Sequence, residues 1–365
     1  MGDLNGTETF DIPEECIAGV VVNEGENFEV QVKKVPVPEI GPDDVLIKMN
    51  ATGLCMSDVH FMMNDWALPA MSSFGTVCAG HEGAGVIVKV GDRVKHLKVG
   101  QRAGLKPVFD SCGSCEQCRT GRDNYCPKSL HTGLHVDGSY KQYVKSPARY
   151  TSVIPDGVSD YVAGPVMCSA STVYTALKAS GLKAGHWACF PGGGGGVGIQ
   201  GVQLAKAMGM RPIVVDTGSE RKRLAAEMGA ETFVDFKEVE NPCAEVVKIT
   251  GGGAHAVFVT AIQAYPISLD YLGTRPGATV ICIGLPPKGE YHIDVDPSRL
   301  AFMNQGVKGT LVSPLNDIDE ALQFAKWGKL HLEPTVVGLS KWNESVQKLR
   351  AGQVAGRIVV DFNKP

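Results

Sequence analysis

The chain has 365 residues, 44% of them hydrophobic, and a net charge of 35 − 39 = −4. That length exceeds one ordinary core, so two domains are expected, and a slightly acidic balance with no long basic block argues against a nucleic-acid scaffold. No apolar run approaches the ~20 residues of a membrane span, and the polar, acidic start Met1–Phe10 does not read as a secretory signal, so a cytoplasmic protein is expected.

Residues 1–15 read as a loose arm. Gly2 would suit myristoylation only with Ser or Thr at position 6, where Gly6 stands. From Ala18 to about Val153, short β-branched runs (Val20–Val22, Val45–Ile47, Val86–Val88) are broken by Gly, Pro and Asp, which predicts a mostly β domain with irregular loops. Eleven cysteines in a chain without a secretory signal point to metal ligands and buried thiols, not disulfides. Four of them, Cys112, Cys115, Cys118 and Cys126, have the spacing C-x2-C-x2-C-x7-C. Four thiolates on one short loop suit tetrahedral zinc with no open position, hence a structural metal. An iron–sulfur cluster also uses x2 spacings, but the x7 step does not match the ferredoxin patterns.

From about residue 170 to 305 the rhythm changes to helical stretches alternating with β-rich runs (Thr232–Val234, Ala256–Val259, Ala278–Ile281), which predicts a doubly wound parallel sheet. Its first unit carries the most informative feature of the chain. An apolar run, Trp187–Phe190, precedes five consecutive glycines, Gly192–Gly196, and the pattern G-x-G-x-x-G falls on Gly193, Gly195 and Gly198. An apolar-periodic helix follows, then an apolar strand ending in Asp216, eighteen residues beyond Gly198. Strand, glycine turn, helix and acid-ended strand are what dinucleotide binding requires. The helix N-terminus presents free amides to a pyrophosphate, and the acid suits an adenosine ribose. The last fifty or so residues return to mixed text, so the first domain is expected to be closed by the C-terminal segment.

Three further residues, Cys55, His81 and Cys168, would form a zinc site with one open position if they converge. Taken singly, each reads equally well as a buried cysteine in an apolar run or a satisfied core histidine. The text around them resembles a known family. Cys55-Met56-Ser57-Asp58-Val59-His60, Asp65-Trp66-Ala67-Leu68-Pro69, Gly80-His81-Glu82-Gly83-Ala84-Gly85, the cysteine quartet, Thr172-Val173-Tyr174, Gly185-His186-Trp187, Leu204–Gly209 and Gly356–Asp361 are similar to the zinc-dependent alcohol dehydrogenases of the medium-chain dehydrogenase/reductase family, within it the short tetrameric yeast and fungal type.

The resemblance implies a mostly β, GroES-like catalytic domain (residues 1–167 and 310–365) and a Rossmann domain (residues 168–309) that binds NAD. It implies Cys55, His81 and Cys168 as catalytic zinc ligands, Glu82 as an exchangeable extra ligand and Asp58 as the partner orienting His81. Ser57 and His60 fall on the proton-relay positions. Arg221 falls on the residue touching the adenosine ribose and Arg357 on the one touching the pyrophosphate. Thr172, Ile283 and Leu285 are expected at the nicotinamide. The acid at Asp216 favours NAD over NADP, although Arg221 keeps the NADP alternative open. Two zincs per chain, a homotetramer and a small alcohol or aldehyde substrate follow from the same resemblance. Competing readings are a zinc-free quinone or enone reductase of the same superfamily and an inactive NAD-binding protein. The intact ligand sets count against both.

Four departures from the yeast type concern the cofactor and the pocket. Met56 replaces a basic residue that helps neutralise cofactor phosphates. The segment Ala70–Ala79 is longer, and its Cys78 reads as packing or as a spare thiol. Trp66 matches a pocket-wall aromatic, but a second tryptophan is missing within Lys106–Phe109. Leu285 replaces Met. A wider pocket and a substrate larger than ethanol are therefore expected.

Overall fold

The computed structural model describes residues 9–365. The first sheet has seven strands. Its main path runs Thr335–Val337, Ile358–Asp361, Asp44–Gly53, Gly83–Val90, Arg102–Leu105 and Ser152–Val153, with Tyr143–Pro147 also paired to Asp44–Gly53. All pairs are antiparallel except Thr335–Val337 with Ile358–Asp361. Two C-terminal strands therefore complete a sheet begun some 300 residues earlier in the sequence. The two-residue period of a strand decides its faces. Val45, Ile47 and Met49 enter the main core of this domain, while Leu46 joins Cys16, Val88 and Tyr143 on the other side.

Of the expected arm, residues 1–8, Gly2 and Gly6 among them, lie outside the described residues. The rest is not loose. Phe10 and Ile12 pack against the Leu46 cluster, and a strand begins at Glu15. Apolar residues two apart gave this segment one face to bury, a signal hidden in the sequence by its polar neighbours. Cys78 is fully buried in the main core, where burial raises its thiol pKa, so it packs.

Trp342, fully buried on the helix Trp342–Arg350, is the keystone of this core. Its ring meets Tyr140 at 5.1 Å and Phe362 at 5.5 Å, both edge-on. Trp342→Ala is expected to cost about 3–5 kcal/mol, read as a fall in the urea midpoint; a midpoint unchanged would mean that the core refills the space.

The second sheet has six parallel strands: Trp187–Pro191, Arg211–Asp216, Thr232–Asp235, Ala256–Val259, Thr279–Cys282 and Gly306–Gly309. Numbered in chain order, they lie 3-2-1-4-5-6. This is the dinucleotide-binding order, and the crevice opens where it reverses, between the first and fourth strands. Their β-branched runs are buried on both faces, as a parallel sheet requires. The helix Gly196–Ala207 packs on the sheet through Ile199, Val202 and Ala205. Gly198 is needed there: a Cβ on it would come within 2.4 Å of the Gly193 backbone.

Candidate active site

Two groups of metal-binding side chains form among the described residues. The four quartet cysteines bring their sulfurs within 4.8 Å of one another. Three Sγ–Sγ separations are 3.9, 3.5 and 3.9 Å, close to the ~3.8 Å edge of a tetrahedron with metal–sulfur distances of ~2.3 Å. The amides of Cys112 and Lys128 donate to Cys126 Sγ, and that of Cys115 to Cys112 Sγ, each at 3.4 Å. These residues fit a closed zinc site. Gly113 and Gly121 turn the loop at φ 67° and 71°.

The second group joins Cys55, His81, Glu82 and Cys168, all buried, with ligand atoms again within 4.8 Å. They arrive from three separate parts of the chain. Cys55 caps the helix Met56–Met63, which follows the strand Asp44–Gly53. His81 and Glu82 immediately precede the strand Gly83–Val90. Cys168 lies in a π-helical turn, Val166–Ala170, that interrupts a longer helix just after Pro165, and such wide turns are common at functional sites. Asp58 ties two of these elements together. Its carboxylate accepts from Cys55 N at 3.3 Å and Gly80 N at 3.0 Å, and Oδ1 stands 2.7 Å from His81 Nδ1. That contact leaves Nε2 as the imidazole's free donor atom. Two thiols, an imidazole and a carboxylate buried together with their ligand atoms converging fit a zinc ion, whose usual donors are these groups. The contact with Cys168 lowers the Cys55 pKa well below the usual thiol range and raises that of Cys168.

Cys55 and Cys168 of this cluster line a cleft of about 360 Å³. Ser57, His60, Trp66, Thr172, Ile283 and Leu285 line it, as do Gly195 and Gly196 of the glycine turn. A second cavity of about 610 Å³ shares Gly192, Gly195, Arg221 and Thr260 with it and continues to Asp216, Phe236 and Tyr271. Together they cross the point where the strand order reverses. The helix Gly196–Ala207 points its unpaired first amides into this groove. The Asp216 carboxylate receives Gly194 N at 2.9 Å, Thr217 N at 2.8 Å and Arg221 at 3.1 Å. Arg221 also donates to Gly352 O and Val354 O, at 2.8 and 3.3 Å. The donor-lined glycine turn and the acid beside it fit a dinucleotide.

Comparison with known proteins agrees with this geometry. Residues 41–156 match the family described as "Alcohol dehydrogenase GroES-like domain", and residues 196–327 match "Zinc-binding dehydrogenase". An alcohol dehydrogenase of Schizosaccharomyces pombe is 36% identical over 97% of this chain and 99% of its own. One from Geobacillus stearothermophilus is 38% identical over 91% and 96%. The chain belongs to the zinc-binding alcohol dehydrogenase family. Among solved structures, acetophenone reductase from Geotrichum candidum in complex with NAD superposes with a TM-score of 0.81 at 26% identity, covering 97% of this chain and 99% of that one.

The structure of this family member adds partners that its sequence does not announce. Arg357 is buried and ion-pairs with Glu82, leaving its Nε without a partner at the edge of the cleft. Burial pushes the Glu82 carboxyl up to about 7 against the opposing pull of Arg357. His60 is buried, with Nδ1 2.8 Å from Asp65 Oδ1 and its ring stacked on Trp66 at 4.7 Å. Asp65 follows the left-handed turn at Asn64 that ends the helix of His60, which was the only local sign of the pairing. Gly193 and Gly198 serve helix packing, whereas Gly192, Gly195 and Gly196 face the groove. Thr260, Leu311 and Val312 also line the cleft, and no motif marks them; Gly356, from the C-terminal matching stretch, lines it too. Met56 sits at the cleft and is exposed.

Proposed function

We propose that the chain is a zinc-dependent oxidoreductase that reversibly transfers a hydride between a primary or secondary alcohol and NAD, giving an aldehyde or ketone. The observation that carries this reading is the buried Cys55, His81, Glu82 and Cys168 cluster, two of whose members, Cys55 and Cys168, line the same cleft as the glycine turn of the dinucleotide crevice. Cys55, His81 and Cys168 would hold the catalytic zinc, Glu82 would be the exchangeable fourth donor, and Cys112, Cys115, Cys118 and Cys126 the structural zinc. Zinc bound there would supply Lewis-acid polarisation of the substrate oxygen, and NAD in the crevice would supply the hydride acceptor. Trp66 and Leu285 wall the substrate, and Thr172 and Ile283 support the nicotinamide. Gly195 and Arg357 serve the pyrophosphate, Gly193 and Gly198 letting the turn pack closely against the helix that presents its amides there; Asp216 and Arg221 serve the adenosine ribose. Ser57 and His60 share the cleft within one helix turn. Ser57 accepts the hydroxyl proton and His60, oriented by Asp65, passes it on.

The catalytic unit comprises residues 1–167 and 310–365, and the NAD-binding unit residues 168–309; all six parallel strands lie within the latter range. We place the protein in the cytoplasm as a homotetramer acting on small molecules, with neither nucleic acid nor membrane as partner. No helix among the described residues is long and apolar enough to cross a membrane. Phe302 and Trp327 are exposed apolar side chains suited to burial between subunits.

The test is zinc analysis followed by absorbance of reduced nicotinamide with ethanol, benzyl alcohol and branched alcohols. Two zincs per chain and NAD reduction with the larger alcohols are expected. A metal-free protein, or one that reduces no nicotinamide with any of them, sinks the reading. Ser57→Ala should lower turnover by about a hundredfold or more with both zincs retained; near-normal turnover would remove Ser57 from the proton path.

A further inference from the structure

Residues 310–314 run without regular structure from the strand Gly306–Gly309 to the helix Leu315–Lys326. Thr310, Leu311 and Val312 line the cleft. Val312 has φ 38°, the left-handed region in which a β-branched residue is an outlier. Such a conformation persists only where its surroundings impose it. Three anchors do so. Thr310 donates through N and Oγ1 to Cys282 O at 3.1 and 3.3 Å. Ser313 Oγ donates to Ser171 Oγ at 2.7 Å, and Ser171 Oγ to Cys168 O at 3.1 Å. The third anchor comes from the four-cysteine lobe. Asn124 Nδ2 donates to Leu311 O at 2.7 Å, and Leu311 N donates to Tyr125 OH at 3.1 Å. Asp123 accepts from Leu315 N at 3.4 Å and from Tyr150 OH.

Asp123, Asn124 and Tyr125 form one turn that ends at Cys126. Their position is therefore set by the geometry of the metal loop. Asn124 is buried, and both backbone polar groups of Leu311 are taken by this turn. We propose that the four-cysteine lobe, beyond holding its own loop together, shapes the outer wall of the substrate cleft, with Asn124 and Tyr125 as positioning residues that decide which alcohols fit. They act through Leu311 and Val312 and touch no reacting atom. The inference rests on the alcohol dehydrogenase reading of the cleft.

Tyr125→Phe removes one hydroxyl from a side chain that is 40% exposed, and Asn124→Leu removes the donor at similar volume. Two readouts are taken on zinc-replete protein: amide hydrogen exchange of the peptide spanning residues 310–315, and KM and kcat for ethanol and benzyl alcohol. Losing one hydrogen bond should speed exchange about three- to tenfold. The benzyl-to-ethanol ratio of kcat/KM should shift by a similar factor, mainly through KM, with two zincs per chain retained. Unchanged exchange, an unchanged ratio, or an equal fall in kcat for both alcohols overturns the proposal. If Asn124→Leu does not fold, Tyr125→Phe decides alone. If the unaltered protein oxidises neither alcohol, the functional reading fails, and exchange alone tells whether the lobe holds the wall.

Discussion

His81→Ala is expected to abolish alcohol oxidation while leaving one of two zincs in place. His81 is fully enclosed, with Asp58 on one ring nitrogen and the two thiols and Glu82 gathered near the other. Alanine leaves two cysteines and a carboxylate already paired to Arg357, too few donors for a four-coordinate ion. Lewis-acid stabilisation is worth several kcal/mol in the transition state, and each ~1.36 kcal/mol is a factor of ten, so kcat/KM should fall by about a thousandfold or more. The quartet lies on a separate loop and should keep its metal. Zinc analysis and steady-state kinetics on the same sample check both halves. Retention of both metals with normal kcat/KM would remove His81 from the site. Asp58→Asn is the graded companion: it keeps the shape but loses the charge facing His81, and should weaken zinc affinity or activity about 10–100-fold.

Asp216→Ala is expected to shift the cofactor preference toward NADP. The carboxylate is buried at the end of its strand and already engages Gly194 N, Thr217 N and Arg221. A 2′-phosphate placed beside it would meet a buried like charge, which costs several kcal/mol unless relieved. Removing the carboxylate frees Arg221, whose planar guanidinium suits a phosphate. The NAD-to-NADP ratio of kcat/KM should fall by about a hundredfold, equivalent to roughly 2.7 kcal/mol. Two amides lose their acceptor, so folding stability should fall by about 1–3 kcal/mol. An unchanged ratio in a folded variant would mean that discrimination lies elsewhere, for instance in the Arg221 contacts to Gly352 and Val354.

The chain's own text determined whatever depends on neighbours close in sequence. The glycine turn between strand and helix, the acid closing the next strand and the x2-spaced thiols are local patterns, because backbone geometry and metal-loop geometry act over a few residues. Alternating β-branched runs announced both sheets for the same reason. Convergence of Cys55, His81 and Cys168 was not readable from spacing, since each residue rides on a separate element; only resemblance to relatives suggested it. Tertiary structure alone decided the rest. Arg357 meets Glu82 across 275 residues and Asn124 meets Leu311 across 187; closure of the first domain by the C-terminal segment was expected from the sequence, but which strands it pairs with was not. Such pairings arise when two separately formed surfaces are pressed together and each buried polar group must find a partner; no period or motif encodes them, because the selecting force is the desolvation of groups that are strangers along the chain.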